Sequence, residues 1–286
     1  MVRYSKLPFR KLVRKYNCDL TFTPMIMSDS FSQSAKAREA LFSTSSDDRP
    51  LIAQFAANSV EQFREATSII APFCDGVDLN CGCPQRWALQ EGIGASLINK
   101  PELLKDLVTE IHSNFARPEF TVSVKIRIHE DLRKTVDLVQ MLESIGISWL
   151  TVHGRTVKQR AEAVNLDAIK ILNESISIPV IANGDIKTLE DVNRVCEETG
   201  CAGVMSARGI LRNPAMYAGF ERTPLSCVCD WIDITNEVET SFTTFHHHLM
   251  YMLETILTKS ERKVFNVLTT KADVLEYLNN RFELSL

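Results

Sequence analysis

The stretch PELLKDLVTEIHSNFARPEFTVSVKIRIHEDLRKTVDLVQMLESIGISWLTVHG, residues 101–154, contains the repeating unit from which the fold is read. In 101–115 the apolar residues Leu104, Leu107, Val108 and Ile111 recur at helical spacing. TVSVKIRI at 121–128 then alternates, with Val122, Val124, Ile126 and Ile128 on one face and Lys125 and Arg127 on the other. A second amphipathic run, TVDLVQMLESIG, ends in Gly as helices commonly do, and WLTVHG at 149–154 reads as the next strand.

The same unit recurs on both sides. LTFTPMI at 20–26, PLIAQFAA at 50–57, GVDLN at 76–80, PVIANGD at 179–185 and GVMSARG at 203–209 complete a set of seven β-rich runs, each followed by a helical pattern. Strands alternating with helices build a parallel sheet, and a run this long favours a (β/α)8 TIM barrel over an open sheet. Polar residues gather near the strand ends, namely Gln54, Asn80, Lys125, His153, Asn183 and Arg208, expected at one level of the barrel. Barrel enzymes assemble their sites at that carboxyl rim, and a lysine buried there calls for an anionic ligand.

After about residue 222 no strand pattern remains. In SFTTFHHHLMYMLETILTKS the residues Phe242, Phe245, Leu249, Met252, Leu253, Ile256 and Leu257 form one apolar stripe, and DVLEYLNNRF follows as a further helix. The expected organisation is a barrel over 1–222 and a small all-helical domain over 223–286. His246, His247 and His248 point in different directions on a helix, so no metal site is expected there.

Composition narrows the class further. With 45% hydrophobic and 24% charged residues, the chain reads as globular, and it carries no apolar run of membrane-spanning length or secretory signal. The eight cysteines show no disulfide framework or zinc-knuckle spacing, which fits a cytoplasmic or nuclear location. A net charge of −4 is unusual for a protein that grips nucleic acid, so any phosphate contact must come from a local basic patch.

At GVDLNCGCPQRWALQEGIGASLI, residues 76–98, the chain resembles the tRNA-dihydrouridine synthases, on Asn80, Gly82, Cys83, Pro84, Gly94 and Ala95. QFAAN, VKIRI, VHGRT, IANGDI and MSARG follow the same family in order, while VRYSKLPFR and FHHHLMYM resemble its eukaryotic dihydrouridine synthase 4 branch. The resemblance implies FMN at the barrel mouth, reduced by NADPH, and reduction of a uridine flipped out of tRNA, at D-loop positions 20a and 20b. It places Cys83 as proton donor, a role open to a residue whose ordinary pKa of about 8.5 leaves it a thiol at neutral pH. It assigns Met1, Gln54, Lys125, His153, Asn183, Gly184, Asp185, Ala207 and Arg208 to the cofactor, and Asn80, Arg127 and Arg155 to the uridine and neighbouring phosphates. A monomer with no membrane or metal partner is expected.

In the family the first strand ends in Ala-Pro-Met, with which Met1 matches at its last residue, so seven of eight strands are expected here. The loop VKQRAEAVN lacks an aromatic residue that many members carry. Two rivals remain, an FMN barrel oxidoreductase acting on a small pyrimidine and an impaired RNA-binding pseudoenzyme. The Asn-x-Gly-Cys-Pro signature opposes the first, and retention of Cys83, Lys125 and His153 opposes the second.

Overall fold

The computed structural model describes residues 3–284, so Met1 lies outside the described residues. The strands are β1 (Thr21–Phe22), β2 (Ile26–Met27), β3 (Leu51–Ala56), β4 (Gly76–Cys81), β5 (Thr121–Arg127), β6 (Trp149–His153), β7 (Val180–Asn183) and β8 (Gly203–Met205). All pair in parallel in the order β1-β3-β4-β5-β6-β7-β8, with β2 also on β3. This is the strand order of a TIM barrel, with a helix after every strand but β1, as the alternation predicted. Among the described residues, β1 and β8 end the sheet without pairing to each other.

Two strand boundaries differ from the reading of the sequence. The run 20–26 is broken into β1 and β2 because Pro24 has no N–H for the ladder. The Thr23 hydroxyl fills the gap by accepting from the Gln54 N–H at 3.0 Å. The run 203–209 stops at Met205, and Arg208 opens a short helix, Arg208–Arg212, so this residue is not at a strand end.

The chain forms two compact units. The first comprises residues 3–6, Leu20–Ile186 and Glu190–Ser206 and contains the sheet. Every residue of β3 and β4 is buried, as expected for strands covered on both faces. Leu51, Ala53, Phe55 and Val77 have no exposure at all, and each fully buried large aliphatic or aromatic side chain contributes about 1.5–3 kcal/mol. Helices Val60–Ile70 and Pro101–Phe115 bury Phe63, Ala66, Leu104, Leu107 and Ile111.

The second unit comprises Leu7–Asp19, Lys187–Leu189 and Ala207–Leu286. Its helices include Leu7–Lys15, Leu225–Glu237, Phe242–Met252, Lys259–Phe265 and Lys271–Phe282. Leu7–Lys15 belongs here because Phe9, Leu12 and Val13 are buried and Phe9 stacks on His248 at 4.4 Å between ring centroids. His248 also lies 4.7 Å from the Trp231 ring, while His246 Nε2 bonds to the Phe265 carbonyl at 3.0 Å. Burial lowers the pKa of His248 to about 3, with His247 adding to the effect. No described helix is long and apolar enough to cross a membrane.

Candidate active site

Strand pairing sets the polar residues out in three rows rather than at one level. Gln54 pairs with Asp78 and Asp78 with Ser123. Two residues further along, Asn80 pairs with Lys125 and Lys125 with Thr151. Arg127, His153, Asn183 and Met205 form the third row, closest to the carboxyl ends. Residues two apart on a strand share a face, so Asp78 with Asn80, and Ser123 with Lys125 and Arg127, line the same side of the sheet.

The innermost row holds a carboxylate that the sequence reading passed over. Asp78 is fully buried, and it accepts from Gln54 Nε2 and Ser123 Oγ, both at 2.8 Å. Burial raises its pKa to about 6, against the opposing pull of those two hydrogen bonds and of the Lys125 charge. One row up, Asn80 Nδ2 donates to Gln54 Oε1 at 2.8 Å. Asn80 Oδ1 accepts from the backbone N–H groups of Gly82 at 3.1 Å and Cys83 at 2.9 Å, turning the chain sharply out of β4.

Cys83 itself is half-buried and packs against the small apolar cluster of Met25, Ala56, Ala88 and Ile93. Its carbonyl accepts from the Ala95 N–H at 3.0 Å. Gly94 makes this approach possible, because its φ is +61° and a Cβ would stand 2.8 Å from the Cys83 oxygen. The Gly94–Ala95 pair of the motif is thus the seat of the cysteine loop.

Lys125 Nζ donates to Asn183 Oδ1 at 2.8 Å, and Asn183 Nδ2 donates to the Met205 carbonyl at 2.7 Å. The ammonium is half-buried, and desolvation lowers its pKa to about 8 although Asp78 works in the other direction. Arg127 ties two loops together, donating from Nε to the Gly82 carbonyl at 2.9 Å and from Nη1 to the carbonyls of Thr156 and Gln159. Burial and the neighbouring Arg155 charge lower its pKa.

Arg155 is turned inward. Its side chain is 2% exposed and bonds to Asp185 and the Glu162 carbonyl, with Nη1 3.3 Å from His153 Nε2. It therefore organises the loops after β6 and β7. Gly184 and Asp185 follow β7 with φ of +123° and +54°. Ala207 and the exposed Arg208 belong to the second unit, at the start of helix Arg208–Arg212.

Asp78, Ser123 and Met205 are the site residues that the sequence reading missed. The signal for Asp78 was available, since a carboxylate stands two positions before Asn80, between Val77 and Leu79, in a strand otherwise apolar. Met205 acts through its backbone and leaves no such trace.

A barrel whose strand ends carry a lysine, a ring of oriented amides and a clamped cysteine loop is the framework of an enzyme acting at the carboxyl rim. The family model described as Dihydrouridine synthase (Dus) matches residues 1–284, and the chain belongs to this family. It is 54% identical over 282 residues to a Homo sapiens protein named as tRNA-dihydrouridine(20a/20b) synthase-like, with NAD(P)+ in its name, across 99% of this chain and 89% of that one. A Schizosaccharomyces pombe tRNA-dihydrouridine(20a/20b) synthase is 43% identical over 283 residues, with 99% and 86% covered. Among solved structures, the Amycolatopsis orientalis BexX/CysO complex matches in fold with a TM-score of 0.50 at 17% identity, covering 84% of this chain and 90% of that one.

Proposed function

We propose that this chain reduces the C5=C6 bond of uridine in tRNA to 5,6-dihydrouridine at D-loop positions 20a and 20b, with FMN at the strand ends, NADPH as reductant and Cys83 as proton donor. The observation that carries this reading is the Cys83 loop, clamped by Asn80 and Ala95 beside the row that bears Lys125. Membership of the dihydrouridine synthase family and the names of the relatives support the reaction and the substrate.

The residues present fit a flavin. Among the described residues the hydrogen-bond partner of the half-buried Lys125 ammonium is a neutral amide oxygen, so it retains donors for an electron-rich acceptor. A Cβ on Gly184 would stand 2.6 Å from Val164 Cγ2 and 2.9 Å from His153 Cδ2, so the loop after β7 keeps a bare backbone beside the His153 ring. Gln54, Lys125 and His153 are assigned to the ring system, and Asn183, Gly184 and Asp185 to the ribityl phosphate. FMN, when bound and reduced by NADPH, supplies the hydride that uracil C6 receives.

The chain's own residues complete the reaction. Cys83 Sγ gives its proton to C5, and Asn80 and Arg127 fix the loop that carries it. Lys125 stabilises negative charge by proximity rather than by proton transfer. Asn80 also contacts the flipped uridine, and the helical unit meets the rest of the tRNA, with the protein acting as a monomer.

The test uses unmodified tRNA, FMN and NADPH with the purified protein. Cys83→Ala is expected to lower dihydrouridine formation by about 10²-fold or more, the scale of a lost proton transfer. An unchanged rate refutes the assignment. Equal reduction of free uracil assigns the site to a small pyrimidine instead.

A further inference from the structure

We propose that Asp78 is a positioning residue for this reaction, setting the Cys83 loop through two side-chain amides whose orientation it dictates. The inference rests on the assignment of uridine reduction to these strand ends.

An ionised carboxylate only accepts hydrogen bonds. Gln54 must therefore present Nε2 to Asp78, which leaves Oε1 facing Asn80. Asn80 answers with Nδ2 and turns Oδ1 to the N–H groups of Gly82 and Cys83. Those backbone groups only donate, so the chain ends in an obligate acceptor at one side and obligate donors at the other. Reversing either amide sets oxygen against oxygen or N–H against N–H at two junctions. Gln54 is 4% and Asn80 8% exposed, so water offers little relief for a mismatch.

The arrangement also decides what Asn80 can offer a ligand. Its oxygen is filled by two backbone donors, so its remaining valence is the second N–H of Nδ2. Asn183 is oriented by the same logic, since the Met205 carbonyl takes its Nδ2 and Lys125 takes its oxygen. The mouth therefore presents donors, and Asp78 is the buried acceptor that sets the one on Asn80. The groups facing Asp78 are the neutral Gln54 from β3, and Ser123 with the charged Lys125 from β5.

Residue-resolved hydrogen exchange of the Gly82 and Cys83 amides in the full chain, together with single-turnover dihydrouridine formation, tests this. Asp78→Leu is expected to speed exchange at both amides by about tenfold, the effect of losing one such hydrogen bond, while Val77 and Leu79 stay protected. Turnover should fall by about 30-fold, as for a reacting group displaced by part of an ångström. Asp78→Asn keeps an acceptor for Gln54 and a donor for Ser123, so it should restore protection and recover most of the turnover lost in the leucine variant.

Unchanged exchange at Gly82 and Cys83 in a folded Asp78→Leu protein overturns the proposal, as does an Asn variant as impaired as the Leu one. Should Asp78→Leu fail to fold, Gln54→Glu provides the same test. Two facing carboxylates share a proton only on acidification, so protection of the two amides, corrected for intrinsic rate, should rise from about pH 8 to about pH 6. Protection independent of pH overturns the relay. Wild-type protein with protected amides that forms no dihydrouridine refutes the assigned reaction and leaves the relay standing.

Discussion

Replacing Gly94 with alanine isolates the seat of the cysteine loop. The new Cβ would lie 2.8 Å from the Cys83 carbonyl oxygen and 3.0 Å from the Cys83 Cβ, whereas ordinary contact begins at 3.4 Å. The carbonyl must retreat by about 0.6 Å, and both its Ala95 bond and the Cys83 N–H bond to Asn80 resist the move. A misplacement of 1 Å costs about 10²-fold in rate, so this shift corresponds to roughly fifteenfold. A positive φ adds about 1–2 kcal/mol of strain for alanine, which lowers Tm by about 2–3 °C in a chain of this size. Gly92→Ala is the control, because it has a similar φ of +74° but its Cβ would meet only the end of the Lys100 side chain at 3.2 Å. Thermal melts and single-turnover dihydrouridine formation should therefore separate the two variants, with similar loss of stability in both and loss of rate in Gly94→Ala alone. A Gly94→Ala enzyme at wild-type rate, or a Gly92→Ala enzyme equally slow, refutes the reasoning.

Two further outcomes follow from groups with displaced pKa values. Lys125 loses its proton as the pH rises through about 8, so FMN affinity, read by quenching of flavin fluorescence, should weaken above that pH in wild type and show no such step in Lys125→Met. His248 titrates near 3 when folded and near 6.5 when unfolded, so the unfolded chain takes up a proton that the buried ring refuses. Its contribution is complete above about pH 6.5 and is lost as pH falls toward 3; His248→Phe should flatten this part of the Tm profile, and an unaltered acid slope would contradict the assignment.

Much of the barrel was legible because period-two and period-3.6 patterns alternate so regularly between residues 51 and 205. The break at Pro24 was missed when 20–26 was read as one strand, although the missing N–H is a local property. The three rows were not legible, because strand stagger depends on partners distant in sequence, and Asn80 finds Gln54 at a sequence separation of 26. Arg155 and Asp78 show what partners distant in sequence add. The guanidinium of Arg155 reads from its loop as a phosphate contact, and its bonds to Asp185 and the Glu162 carbonyl are visible only in the fold. A carboxylate inside an apolar strand drew no attention, although the cost of burying it marks a position that something must justify. Cys83 was identified by its motif, whereas the clamp that holds it became visible only through the strand neighbours.

Arg127 gives the site a property relevant to protein engineering. One guanidinium staples the Gly82 carbonyl, next to the proposed proton donor, to the carbonyls of Thr156 and Gln159 in a separate loop. Chimeras that graft another relative's 156–163 loop onto this scaffold would therefore alter turnover along with recognition. Retuning which nucleotide is modified would require exchanging both loops as a single cassette, with residue 127 included.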